Sequence, residues 1–350
     1  MNPTVSVPTF VREFTHGPEV TWVGPNPFAD GMSLGFDDGS IQFTEFATGQ
    51  FTETQPVSQA NEAINGIAAI CKSFLAVSTR SDVTFIALDD PTIDNMYVFT
   101  GGAHGVISTQ SGYFIAPLGV KGLLIVKPVA NGEQVITVTT EMEKNLYFYR
   151  VAVLRDSTGT EVLVFANRKN GIGVSPFHGE QDKQNIHTMR FEGLDVVDVC
   201  GIASDSLSAV AISSRGEVLW LKDASKSDEP LVTRLTDIEG QVYRVLATTQ
   251  HLFVLSSKAL YVWSHLVESV LLNKAFAKQT FLNVVTVEAV DMSLLNDNEL
   301  MLVMGTNSIK SFKIDDIIRD SSSLSSISKP EDFTPRWVSE DVEQTRKVAA

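Results

Sequence analysis

The chain has 350 residues, of which 20% are charged and 43% hydrophobic, with 23 Gly and 13 Pro. That balance excludes a disordered, collagen-like or coiled-coil chain. Asp and Glu number 42 against 27 Lys and Arg, so the net charge of −15 disfavours general binding to nucleic acid or anionic membrane and leaves any anion site to a local patch.

Helical periodicity is almost absent. Residues 10–14 form an opening β run, followed by a second run at 20–23. Residues 32–36 and 41–46 then flank Asp37-Asp38-Gly39-Ser40, and an Asp-Gly turn between apolar runs predicts a hairpin. The same unit returns at 74–88, 113–126, 161–175, 207–221, 251–263 and 299–312. The second strands begin at Ile41, Val83, Leu123, Ile172, Val218, Leu260 and Ile309, about 45 residues apart on average, the period of four-stranded propeller blades. A further strand precedes each hairpin; it is strand a, the hairpin is b and c, and the outer strand is d.

The expected fold is therefore all-β: a seven-bladed β-propeller of four-stranded antiparallel blades over residues 1–318. The N-terminal strand closes the ring in blade seven, which covers the edges that an open array exposes. Residues 319–350 read as a Ser-rich linker and C-terminal tail, with Phe333 and Trp337 as aromatic anchors on the propeller or a partner. Residues 266–278 interrupt the repeat. Their apolar positions 267, 270, 271 and 275 fit a helical stripe, with an ordinary c–d loop as the alternative.

Period and strand order resemble the WD40-like seven-bladed propellers over roughly residues 8 to 316. The Gly-His and Trp-Asp dipeptides of that family stand in none of the blades. The resemblance implies a rigid platform for proteins or peptides; fold alone does not fix function.

Catalytic signatures are missing: no Gly-X-Ser-X-Gly, no phosphate-loop motif, no His-Glu-X-X-His and no Cys-X-X-Cys. The histidines at 16, 104, 178, 187, 251 and 265 lack metal-ligand spacing, and Gly101-Gly-Ala-His-Gly105 reads as a chain turn between blades. No catalytic residue, metal or cofactor is expected, and the chain is read as a non-enzyme. Cys71 and Cys200 lie in apolar runs and are expected as buried free thiols. With no apolar leader and no membrane-length run, they point to the cytoplasm.

Two constellations emerge when the blades are aligned. Just before the small apolar triplet of strand a stand Thr21, Gly66, Gly105, Arg150, Asp198, Arg244 and Glu288. Arg150, Asp198, Arg244 and Glu288 alternate in sign, as a channel-lining ion-pair arc or as an anion site held by the two arginines. The b–c turns carry Arg80, Lys121, Arg168 with Lys169, Arg215 and Lys258, all on one propeller face. The d–a loops of that face carry Glu62, Glu141, Glu143, Glu192, Asp237 and Glu239, so a salt-bridged rim is the alternative to an anionic docking face. The functional expectation is a non-enzymatic interaction scaffold or adaptor that presents one face to a protein partner with an acidic segment, without nucleic acid or membrane. The alternative is a small-anion or enzymatic site at the channel mouth.

Overall fold

Short runs of Val, Ile, Leu and Phe closed by Asp, Gly, Ser and Asn turns cannot satisfy their backbone groups locally, so each run must pair with another strand. The computed structural model describes residues 10–14, 17–48, 50–52, 55–57, 61–88, 96–128, 134–139, 147–156, 158–168, 171–177, 183–190, 194–203, 207–226, 230–236, 238–271, 281–318, 323–324, 327–328 and 336–349.

Within them, antiparallel runs of four strands follow one another. Val20–Pro25, Gly31–Phe36, Ser40–Glu45 and Gln55–Pro56 form the first. The runs opened by Gly66–Ile70, Ile107–Ser108, Phe148–Arg155, Val196–Ala203 and Val242–Thr248 repeat that order. The run Ala289–Asn296, Glu299–Met304, Ser308–Lys313 takes its fourth strand from the other end of the chain. Phe10–Glu13 pairs with it in the register Phe10↔Ser311 to Glu13↔Ser308.

Apolar clusters fill the spaces between successive runs. Leu154, Val162 and Val164 pack with Val199, Ala209 and Leu219, and Val210, Ile212 and Trp220 pack with Val245, Leu252 and Trp263. The same packing joins the last run to the first, where Met301, Val303 and Ile309 meet Val23, Met32 and Leu34. Burying such side chains contributes about 1.5–3 kcal/mol each, so every run depends on its two neighbours.

The helical alternative holds for the start of the 266–278 segment. Leu266–Leu271 is a short helix with Leu266, Val267, Val270 and Leu271 buried in the core; residues 272–280 lie outside the described residues. Two expectations need correction. Cys71 is exposed, because strand Gly66–Ile70 ends just before it and Cys71 and Lys72 turn the chain with φ of 52° and 63°. Cys200 is only half-buried. The tail region also contributes strands. Arg336–Ala349 pairs with both Gln134–Thr139 and Lys183–Arg190, and two-residue strands Ser323–Leu324 and Ile327–Ser328 extend two other outer edges. Phe333 lies outside the described residues.

Candidate interaction site at the channel mouth

Strand a of several runs carries a register break against strand b. It falls at Val20/Trp22, Phe148/Arg150, Val196/Asp198, Val242/Arg244 and Ala289/Asp291. A bulge adds one unpaired residue and re-aims the side chains around it. The residue after each break is thus Trp22, Arg150, Asp198, Arg244 or Asp291. The alternation of charge persists, but its last member is Asp291, not Glu288. Glu288 precedes the first paired residue, is exposed, and offers only its carbonyl, to the Gly305 N–H at 2.6 Å. Thr21 is one residue before Trp22; its hydroxyl donates to the Ile64 carbonyl at 2.9 Å. Alignment of apolar triplets selects Glu288 because Ala289-Val290 follows it, three residues before Asp291; the Asp-Met-Ser-Leu sequence after Val290 is the signal that identifies Asp291.

Three members of the arc form one ion-pair group. Arg244 Nε lies 2.8 Å from Asp291 Oδ1, and Arg244 Nη1 lies 3.5 Å from Asp198 Oδ2. Asp198 Oδ2 also accepts the Val245 N–H at 2.8 Å, and an Arg244 amino group donates to the Met292 carbonyl at 3.2 Å. Both carboxylates are nearly inaccessible, and burial alone would depress the Arg244 guanidinium. Asp291 and then Asp198 instead hold it above its ordinary value. Arg150 differs: among the described residues it has neither a hydrogen bond nor an ion pair. Burial, and next the charge of Arg244, lower its affinity for a proton. It lines a cavity of about 440 Å³ with Asn65, His104, Ser108, Asp198 and Arg244.

Above Arg150 lies a cluster of rings. The His104 ring centroid is 4.7 Å from that of Tyr149 and 5.7 Å from that of Tyr147, and His104 Nε2 is hydrogen bonded to the Tyr147 hydroxyl at 3.1 Å. The Arg168 guanidinium sits 4.9 Å from the Tyr149 ring centre and pairs with Asp195 at 3.4 Å. Burial, then the charges of Arg150, Arg168 and Arg80, bring the His104 imidazole down to about 4, so it is neutral at pH 7.

The basic turns are built by hydroxyl groups. Thr79 Oγ1 accepts the Ser81 and Asp82 N–H groups, which places Arg80 at the tip. Ser213 Oγ accepts the N–H groups of Arg215 and Glu217, and Ser256 Oγ those of Lys258 and Ala259. Such Ser and Thr turns leave the intervening side chain in solvent. Arg80, Arg215 and Lys258 are exposed. Lys121 donates to the Gly101 carbonyl at 3.2 Å, and Lys169 lies outside the described residues, as do Glu141, Glu143, Glu192 and Asp237. Of the remaining loop acids, Glu62 accepts the Ser81 hydroxyl at 2.6 Å and Glu239 is exposed.

Solved structures with this arrangement cover most of the chain. The β-propeller domain of Cps50 (Swd1) from Myceliophteria thermophila matches with a TM-score of 0.59 and 13% identity over 87% of this chain and 100% of its own. The fold is that of a WD40-like β-propeller. U3-55K matches the propeller with a TM-score of 0.61 and 16% identity, over 87% of this chain and 98% of that one. The WD40 β-propeller domain of Doa1 matches at 0.57 and 15%, over 88% and 96%. No protein-family model and no curated protein sequence matches the propeller, so the likeness is one of fold. Among its described residues there is no group of three His, Cys, Asp or Glu side chains placed to hold a metal ion, and no helix long and apolar enough to cross a membrane.

Proposed function

We propose that this chain is a seven-bladed propeller, closed by its N-terminal strand, that serves as a non-enzymatic protein-interaction module. In this reading it docks a partner on the face of the b–c turns, and the docking centre is the cluster of His104, Tyr147, Tyr149 and Arg168. That cluster is the observation that carries the proposal. Tyrosine and arginine dominate interface hot spots because they bury large area and still offer polar contacts. Here Tyr147 and Tyr149 sit half-buried at the start of strand Phe148–Arg155, and exposed Arg168 stands over the Tyr149 ring. The Arg80 tip, whose charge acts on His104, and the exposed tips of Arg215 and Lys258 in other b–c turns favour an acidic segment on the partner, although the whole chain is acidic. Packed Ser and Thr turns favour a preformed surface, which lowers the entropy cost of docking. A cytoplasmic setting belongs to the same proposal.

The test is capture from native lysate with immobilised wild-type protein, Tyr149→Ala, Arg168→Glu, and a control reversal, Lys72→Glu, in an a–b turn on the opposite face. A partner retained by wild type and by Lys72→Glu, and lost with both cluster variants at unchanged melting temperature, supports the reading. Equal retention by all four proteins, or loss only with Lys72→Glu, refutes it.

A further inference from the structure

Arg150 and the cavity it faces are not accounted for by a docking face alone. The arc supplies two carboxylates, Asp198 and Asp291, and both are engaged by Arg244. Arg150 is half-buried, has no hydrogen bond or ion pair among the described residues, and opens onto about 440 Å³ of free space. A guanidinium presents five N–H donors in a planar fork, and here they are available to a ligand in the cavity. Gly105 packs against one side of it, since a Cβ there would come within 3.1 Å of Nη1.

We propose that the channel is a binding site for one carboxylate group, received bidentately by Arg150. The proposal deepens the docking reading, because one source of the carboxylate is an acidic side chain that the partner inserts; the other source is a free small carboxylate. Charge decides for a carboxylate over phosphate. Asp198 and Asp291, which Arg244 neutralises only in part, place a net negative charge near Arg150 that repels a dianion about twice as strongly as a monoanion. The planar guanidinium fork also matches a carboxylate in shape. His104 lines the same cavity as a neutral ring at pH 7, adding a hydrogen-bonding group without a second positive charge. Ser108 lines it too and brings a hydroxyl donor. The volume lies within the span of small-ligand pockets, about 300–1,000 Å³.

The experiment follows the side-chain Nε–H signals of the 15N-labelled full chain during titration, which needs no partner protein. Sodium acetate should give a saturable shift of the Arg150 signal below about 100 mM, while inorganic phosphate at equal ionic strength should bind about tenfold more weakly. Arg150→Lys keeps the charge but loses the fork, and acetate affinity should fall about tenfold or more at unchanged melting temperature. Assignment uses Arg150→Gln. The source is read from two capped peptides, acetyl-Gly-Glu-Gly-amide and acetyl-Gly-Gln-Gly-amide. The same Arg150 shift from the Glu peptide alone assigns the site to a side chain; acetate binding without the Glu peptide assigns it to a free carboxylate. No saturable Arg150 shift in wild-type protein overturns the proposal, as does phosphate binding as tightly as acetate. Partner capture insensitive to Arg150→Lys, with acetate still bound, overturns side-chain insertion and leaves the docking face standing.

Discussion

Asn307 grips Phe14 from both sides: the Phe14 N–H donates to the Asn307 carbonyl at 3.0 Å, and the Asn307 side-chain amide donates to the Phe14 carbonyl at 3.0 Å. The same side chain accepts the Val20 N–H at 2.9 Å. One turn residue of the last run thus ties down the N-terminal strand and the start of the first run. Asn307 holds φ at 55°, a left-handed conformation that asparagine tolerates better than most residues.

Asn307→Gly keeps the backbone free to adopt that conformation but removes the side-chain bonds, and should cost about 1–3 kcal/mol. Asn307→Ala adds a left-handed penalty of about 1–2 kcal/mol. Denaturant unfolding of the two variants measures both terms. Deletion of residues 1–15 removes the strand altogether and should lower the melting temperature by more than either substitution. A truncated chain that melts with the full one would contradict the closure.

The ion-pair group predicts a second result. Arg244→Met strips Asp291 and Asp198 of their cation and should destabilise the fold by about 3–5 kcal/mol. The triple variant Arg244→Met, Asp291→Leu and Asp198→Asn should recover much of that loss, because it leaves no buried carboxylate without its cation. A single variant as stable as wild type would mean that water, not Arg244, satisfies these acids.

His104 predicts a pH dependence. Its folded value is lowered to about 4, first by burial and then by Arg150, Arg168 and Arg80, against 6.5 unperturbed. The unfolded chain therefore takes up a proton that the folded chain refuses. Stability should fall as pH drops from about 6.5 to about 4, with no further loss from this group below that. Melting curves of wild type and His104→Gln should converge toward pH 4, the variant losing less on acidification. Parallel curves would remove His104 as the cause.

Much of the fold was legible in the sequence, for identifiable reasons. Gly39 turns at a φ of 82° and Asp38 Oδ1 accepts the Ser40 N–H at 2.9 Å, so the Asp-Gly turn was read from the residues that build it. The channel arc was legible in its charges but not in its register. Trp22 lies one residue beyond Thr21, and Asp291 three beyond Glu288, because Ala289-Val290 mimics the apolar triplet that Met292-Ser293-Leu294 supplies. The His104, Tyr147 and Tyr149 cluster was missed because the rings come from two runs separated by strands b, c and d. Strand Arg336–Ala349 was missed because its charged sequence has no apolar alternation; its pairing uses backbone groups that any residue carries.

The basic turns should act on association more than on folding. Arg168 and Asp195 are each about two-fifths exposed, and such a pair stabilises by no more than about 1 kcal/mol, so Arg168→Glu should fold normally. Exposed Arg80 and Arg215 should tolerate the same change.

Docking of a partner on the basic b–c face is tested most directly by association kinetics. Rates are measured for the captured partner with wild type and with Arg80, Lys121, Arg168 and Arg215 all changed to Glu. The salt concentrations are about 0.1 M and about 1 M, where the screening length falls from about 10 Å to about 3 Å. The docking reading predicts that the reversal slows association at low salt, that the two rates approach each other at high salt, and that Lys72→Glu on the opposite face leaves both unchanged. Salt-independent rates that are equal for wild type and the reversal would contradict it.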